Sequence, residues 1–126
     1  MPPNGGVCVA KQVLRCPWPP SVNRIWRSVN GRAILSADYR AWRKAASQEL
    51  MLVQRARPQL GPVEITIELC PPNKRVIDID NRAKACIDLL VSCGIIEADD
   101  SSVVRKVVIE LGEGFTGARL HVEPCL

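Results

Sequence analysis

Histidine is almost missing from this chain of 126 residues, with His121 the only one. One imidazole cannot build a His-rich metal site. His121 falls in an alternating pattern near the C-terminus and is expected on a strand surface. Long apolar runs are also missing. None approaches the roughly 20 residues of a membrane span, so no membrane partner is expected. The opening MPPNGGV has neither the basic head nor the apolar middle of a secretory signal, and the expected location is the cytoplasm. The six cysteines, Cys8, Cys16, Cys70, Cys86, Cys93 and Cys125, include no CxxC pair, which argues against a zinc ribbon. Their even number invites a disulfide framework. With no export signal and mostly apolar neighbours, reduced thiols packed as small hydrophobes are expected instead.

What the chain does have is ordinary bulk and an unusual charge layout. Apolar content of 47% and charged content of 24% suit a soluble globular protein. The length suits one core, so residues 7–126 are read as a single domain behind a disordered tail, 1–6. Formal net charge is +4, yet Lys74 to Asp100 holds six of the thirteen acids: Asp78, Asp80, Asp88, Glu97, Asp99 and Asp100. Outside that segment stand thirteen basic and seven acidic residues. Basic surface gains affinity for nucleic acid by releasing condensed counterions, so a polyanion is the expected partner.

Along the chain, Val7 to Arg15 reads as a strand with Val7, Val9 and Val13 inward. CPWPPSVNRIWR (16–27) carries three prolines in four residues, which forbid a helix and stiffen an extended segment. Arg24, Arg27 and Arg32 follow with Trp18 and Trp26 in a loop or hairpin. Basic residues interleaved with aromatics can grip phosphates and stack on unpaired bases, although both tryptophans also fit as plugs at the core edge. Ser36 is a good N-cap for a helix ending near Ala56, with Tyr39, Trp42, Ala46, Leu50 and Val53 as its core stripe. Arg40, Arg43, Lys44 and Ser47 lie off that stripe, as a solvated face or else a DNA-facing edge. Val63 to Leu69 alternates as a half-buried strand.

A second helix is expected from a cap at Asp80 or Asn81 to about Ser92, with Ala83, Ile87, Leu90 and Val91 facing the core and Gly94 as its stop. Ser102–Leu111 and Ala118–Glu123 read as two further strands. The fold class is therefore α/β (α+β), a single domain with a mixed sheet of about four to five strands and two main helices packed on it.

The chemistry centres on the acids. Asp78 and Asp80 flank Ile79, and in an extended backbone residues two apart point to the same side. Asp88 lies roughly 12 Å further along by helical rise. Asp99 or Asp100, returning on the next loop, is the better third carboxylate. Oxygen donors without His or Cys favour magnesium, with manganese as a substitute. Lys84, one turn past Asp80, can set its ammonium over the same site, or pair with Asp80 and Asp88 as a surface lattice. Lys74, Arg75 and Arg82 join Arg24, Arg27 and Arg32 as candidate nucleic-acid contacts, with Asn81, Asp88 and Trp26 as further site residues. The same acids also read as a cap, a turn residue and a solvated loop, which would leave a non-catalytic basic nucleic-acid-binding module.

PWPPSVNRIWR (17–27), DIDNRAKACIDLL (78–90) and GIIEADDSSVV (94–104), in this order, resemble the RusA family of Holliday-junction resolvases. The likeness runs from about Val13 to Val122. It implies a magnesium-dependent, homodimeric endonuclease of recombination and repair that nicks two symmetric strands of a four-way DNA junction. It places the essential carboxylates on Asp78, Asp80 and Asp100 or Asp99, the essential lysine on Lys84, and a recurrent acidic position on Asp88. It also implies a protein of a bacterial or phage-infected cell, working at the nucleoid. The sequence does not single out the homodimer surface; apolar strand faces around Val103–Ile109 are candidates for it.

Overall fold

The computed structural model describes residues 11–125. Its main sheet has four strands: β1 (Gln12–Cys16), β4 (Val63–Cys70), β5 (Val104–Leu111) and β6 (Gly117–Pro124), in the order β1-β6-β4-β5. β6 pairs antiparallel with both β1 and β4, whereas β4 and β5 run parallel. A parallel pair needs a crossover. Here it is α2 (Ala83–Ser92) with the turn before it. β2 (Trp26–Val29) and β3 (Arg32–Leu35) form a separate hairpin, followed by α1 (Ala37–Gln48). The expected mixed sheet with two helices is what the chain adopts.

Both helices cover one face of the sheet. Val63, Ile65, Ile67 and Leu69 of β4 meet Leu120 and Val122 of β6, Ala46 and Leu50 from α1 and its extension, and Cys86, Leu89 and Leu90 of α2. The predicted alternation of β4 holds because only this face is roofed. The open face carries Glu68, which pairs with His121 and with Arg119 at 3.6 Å. His121 is thus a mostly covered partner of Glu68 and not a plain surface residue. Cys16, Cys70 and Cys86 are buried and Cys93 and Cys125 half-buried; all five are free thiols. Cys8 lies outside the described residues.

Several expectations need correction. In β1 the inward residues are Gln12, Leu14 and Cys16, and Val13 is 51% exposed. Val7 and Val9 lie outside the described residues. The register is set by Gln12, whose amide donates to the Arg57 carbonyl and to Gln59 Oε1, both at 2.7 Å. A buried amide with its bonds made is tolerated inside. In α1, Ser36 caps as expected, accepting the Tyr39 N–H at 3.1 Å. The regular helix ends at Gln48, however, and a π turn follows over Glu49–Val53. The extra residue per turn rotates the stripe, so Leu50 stays buried but Val53 is 67% exposed. β5 starts at Val104. Val103 is buried in this chain's own core, so it is not available to a second copy; the exposed apolar residues of β5 are Val107 and Leu111.

Candidate functional site

The site is built where the crossover begins. β4 ends at Cys70, and the loop after it, PPNKRVID, leads into a 3-10 turn, Ile79–Arg82. Asp78 is the last extended residue, and its carbonyl accepts the Asn81 N–H at 3.1 Å. α2 then starts at Ala83 with no side-chain cap. Neither Asp80 nor Asn81 is its cap, which corrects that expectation. The argument that Asp78 and Asp80 converge by strand alternation fails too, because Asp80 lies in the turn. Both aspartates are exposed, and neither carboxylate has an ion-pair or hydrogen-bond partner among the described residues.

α2 ends in a Schellman motif. Gly94 has φ +72°, its N–H meets the Val91 carbonyl at 3.0 Å, and the Ile95 N–H meets the Leu90 carbonyl at 2.9 Å. Only glycine takes this conformation cheaply. The chain turns sharply, buries Ile95 and Ile96, and brings the acidic loop back along α2. There Lys84 Nζ lies 3.0 Å from Asp88 Oδ1 and 3.7 Å from Asp99 Oδ2. The hydrogen bond to Asp88 raises the lysine's pKa, burial lowers it, and the charges of Asp88 and Asp99 raise it further. The expected lattice is therefore half formed, since Asp80 takes no part. Asp100 has no ion pair with Lys84 and accepts the Ser102 N–H at 2.9 Å and the Ser102 hydroxyl. These bonds hold its carboxyl below the usual range. Glu97 accepts the Gly61 N–H at 2.6 Å, a structural tie.

Two clefts flank this strip. One, of about 380 Å³, is lined by Trp26, Tyr39, Arg43, Asp88 and Asp99. Burial, and next the Asp88 charge, push the Tyr39 phenol up. The other, of about 400 Å³, is lined by Trp18, Asn73, Arg75, Asp78, Asn81 and Arg82. Among the described residues no three Asp, Glu, His or Cys side chains gather closely enough to hold one ion. The structure brings Asp88 and Asp99 together through Lys84. It leaves Asp78, Asp80 and Asp100 outside that cluster.

Arg82 locks the proline-rich loop onto the turn. Its guanidinium sits 4.9 Å from the Trp18 ring centre and donates to the Pro19 carbonyl at 2.6 Å. Trp42 Nε1 holds the Pro17 carbonyl at 3.0 Å. Burial, then the nearby Arg24 charge, lower the Arg82 pKa. Trp18 is half-buried against the core, while Trp26 is 56% exposed on the hairpin. The hairpin closes on Asn30 and Gly31, both at positive φ. Trp26 and Leu35 share one face and line the first cleft, and by strand alternation Arg27 and Arg32 lie on the other. Arg24, Arg27, Arg32, Lys74 and Arg75 are all exposed.

Sequence reasoning placed Tyr39 in the core stripe and Arg43 off it, but missed that both line the first cleft with Asp88 and Asp99. Their i, i+4 spacing on α1 was the available signal. It also missed the Arg82–Trp18 stack, which joins residues too distant in the chain for any local pattern.

Fold and site together define a single-domain α+β protein with a carboxylate–lysine strip at its crossover helix, rimmed by arginines. The family model described as Endodeoxyribonuclease RusA matches residues 17–123, and the chain belongs to that family. Among its relatives are crossover junction endodeoxyribonucleases RusA of Shigella sonnei and of Escherichia coli K12. Each is 37% identical over 101 residues, covering 78% of this chain and 81% of the relative. That of Enterobacteria phage 82 is 36% identical over the same shares.

Proposed function

We propose that this protein is a magnesium-dependent endodeoxyribonuclease that resolves four-way DNA junctions by paired symmetric nicks, acting as a homodimer. Membership of a family whose relatives are named crossover junction endodeoxyribonucleases supports the substrate and the reaction class. The single observation that carries the chemistry is the pair Asp78 and Asp80, two residues apart at the start of the crossover, both exposed and without partners among the described residues. Magnesium typically takes one or two carboxylates, keeps several waters and completes its shell with substrate phosphate. Two partnerless carboxylates fit that habit without a three-acid cage, and Asp99 or Asp100 would complete a fuller set.

Bound there, the ion would supply an activated water and polarise the phosphodiester. Asp78 and Asp80 would hold it. Lys84 would set positive charge where the phosphate gains negative charge. Arg24, Arg27, Arg32, Lys74 and Arg75 would hold the backbones, since they are exposed and have no acidic partners among the described residues. A two-fold dimer would offer two equal sites to the two equivalent strands of a junction. Edge strand β5, with Val107 and Leu111 exposed, is where a second copy would pair. No helix among the described residues is long and apolar enough to cross a membrane.

The test is incubation of the protein with a labelled four-way junction and with linear duplex, with and without magnesium. Paired nicks confined to the junction and dependent on the ion are expected. Binding without cleavage under any divalent ion would replace this reading with a basic nucleic-acid-binding module.

A further inference from the structure

We infer that the cleft beside Asp78 is a seat for one unstacked nucleobase of the branched DNA, with Arg82 as its platform and Asn73 and Asn81 reading its edge. This rests on the proposed substrate and adds a specific contact to it. Four observations converge. The cleft measures about 400 Å³, near the small end of the roughly 300–1,000 Å³ typical of ligand pockets. That leaves room for one nucleoside-sized group.

Its wall is a preformed stack. The Arg82 guanidinium lies 4.9 Å from the Trp18 ring centre and is fixed by the Pro19 carbonyl at 2.6 Å. Guanidinium planes and aromatic rings are the surfaces on which splayed-out bases stack. A base on Arg82 would complete a Trp–Arg–base sandwich on a side chain that is already immobile.

Its polar groups suit a base edge. Asn73 Oδ1 accepts the Arg75 N–H at 2.9 Å, which leaves the Asn73 amide N–H₂ without a partner among the described residues. The half-buried Asn81 side chain has no partner among the described residues and offers both a donor and an acceptor. Lastly, Asp78 stands in the lining, so a base seated here brings its adjoining phosphate to the proposed reacting centre. Bases inside a duplex have both faces covered by their neighbours, whereas pairs at a branch point are the ones free to open. The cleft therefore favours branched over linear DNA by chemistry as well as by shape.

The test is an abasic scan of a four-way junction. Single nucleotides near the crossover are replaced by abasic sites, and affinity is measured without divalent metal, so that no strand is cut. For the wild-type protein, one symmetry-related position is expected to cost about tenfold in affinity while its neighbours cost little. Asn73→Ala and Arg82→Ala should each weaken binding to the intact junction and lose the penalty at that position, as a coupled pair does in a double-mutant cycle. Should Arg82→Ala fail to fold once the Pro19 carbonyl loses its donor, the exposed Asn73→Ala decides the matter. A flat abasic profile, or a penalty that persists in Asn73→Ala, overturns the base seat and leaves the proposed function standing. A wild-type protein that binds no branched DNA overturns both.

Discussion

Lys84 pairs with Asp88 at 3.0 Å and not with Asp80, although each acid stands four residues away. The difference is one of helix type. Lys84 and Asp88 share the α-helical pitch of α2, whereas Asp80 lies on the preceding 3-10 turn and is rotated off the stripe. Asp99 takes the vacant side of the ammonium at 3.7 Å. The lysine is thus held by two acids, and Asp78 and Asp80 are left without partners among the described residues.

Asp80→Asn and Asp78→Asn should therefore abolish junction cleavage without harming the fold. Each is exposed and makes no side-chain bond, so a surface change of this kind shifts stability by no more than about 0.5 kcal/mol. Junction affinity should stay within about threefold, because the basic surface is untouched. Cleavage assays in magnesium, gel-shift binding and thermal melts check the three parts. Cleavage at the wild-type rate by Asp80→Asn would remove that carboxylate from the site.

Lys84 should stay charged throughout the neutral range. Its bond to Asp88 raises its pKa, so whatever the pair contributes is complete below the usual lysine value of about 10.4 and is lost only as pH rises through the raised value. A cleavage profile from pH 6 to 9 should carry no step from this group. Lys84→Ala should lower the rate on the order of 100-fold at every pH in that window. A rate loss confined to one end of the profile would assign the lysine a titrating role instead.

Asp100 titrates in the opposite sense. Hydrogen bonds from Ser102 depress its pKa, so its hold on the loop is complete above the ordinary carboxylate value, near 4, and fades as pH falls through the depressed one. Protection of the Ser102 N–H, taken against the intrinsic exchange rate at each pH, should fall in that acid window. Asp100→Ala should show the lost protection already at pH 7. If Asp100→Ala and Asp99→Asn are compared for cleavage in magnesium, a selective loss in one of them decides which acid joins Asp78 and Asp80.

Much of this was legible in the chain wherever local chemistry decides the backbone. Ser36 could cap α1 because its hydroxyl needs only the N–H three residues on, and Gly94 could stop α2 because the left-handed turn favours glycine. β4 was legible because one face is roofed and the other open. Some failures are non-local, and others rest on turns that leave no mark in the sequence. The register of β1 depends on Arg57 and Gln59, more than forty residues from Gln12. Val53 leaves the core because of a π turn that no hydrophobic spacing announces. The aspartate pair could be found from sequence. The 3-10 turn that separates Asp80 from Lys84 could not, because no capping signal marks it.

Gly117 should tolerate no side chain. Its φ is +143°, and a Cβ there would strike the Cys16 carbonyl oxygen, a backbone atom, and come within 2.8 Å of Phe115 Cε2. The clash falls where β6 begins its pairing with β1. Gly117→Ala should cost at least about 2 kcal/mol, read from urea unfolding. Gly94→Ala meets open space and should cost only the left-handed conformation, about 1 kcal/mol. Equal losses at the two positions would mean that the contact with Cys16 relaxes freely.

The two hairpin arginines and Trp26 should separate general from branched-DNA affinity. Arg27 and Arg32 are exposed on one hairpin face, while Trp26 looks into the cleft that holds Asp88 and Asp99. Phosphate contacts carry no sequence information directly, and Arg32 stands outside both clefts, so Arg32→Ala should weaken duplex and junction alike and lower the salt slope by about 1. Trp26→Ala should leave the salt slope unchanged. If the ring meets unpaired bases, its loss should weaken junction binding by about tenfold and duplex binding hardly at all. Equal losses on both DNA forms would place Trp26 with the backbone contacts and leave the cleft at Asp78 as the more selective of the two.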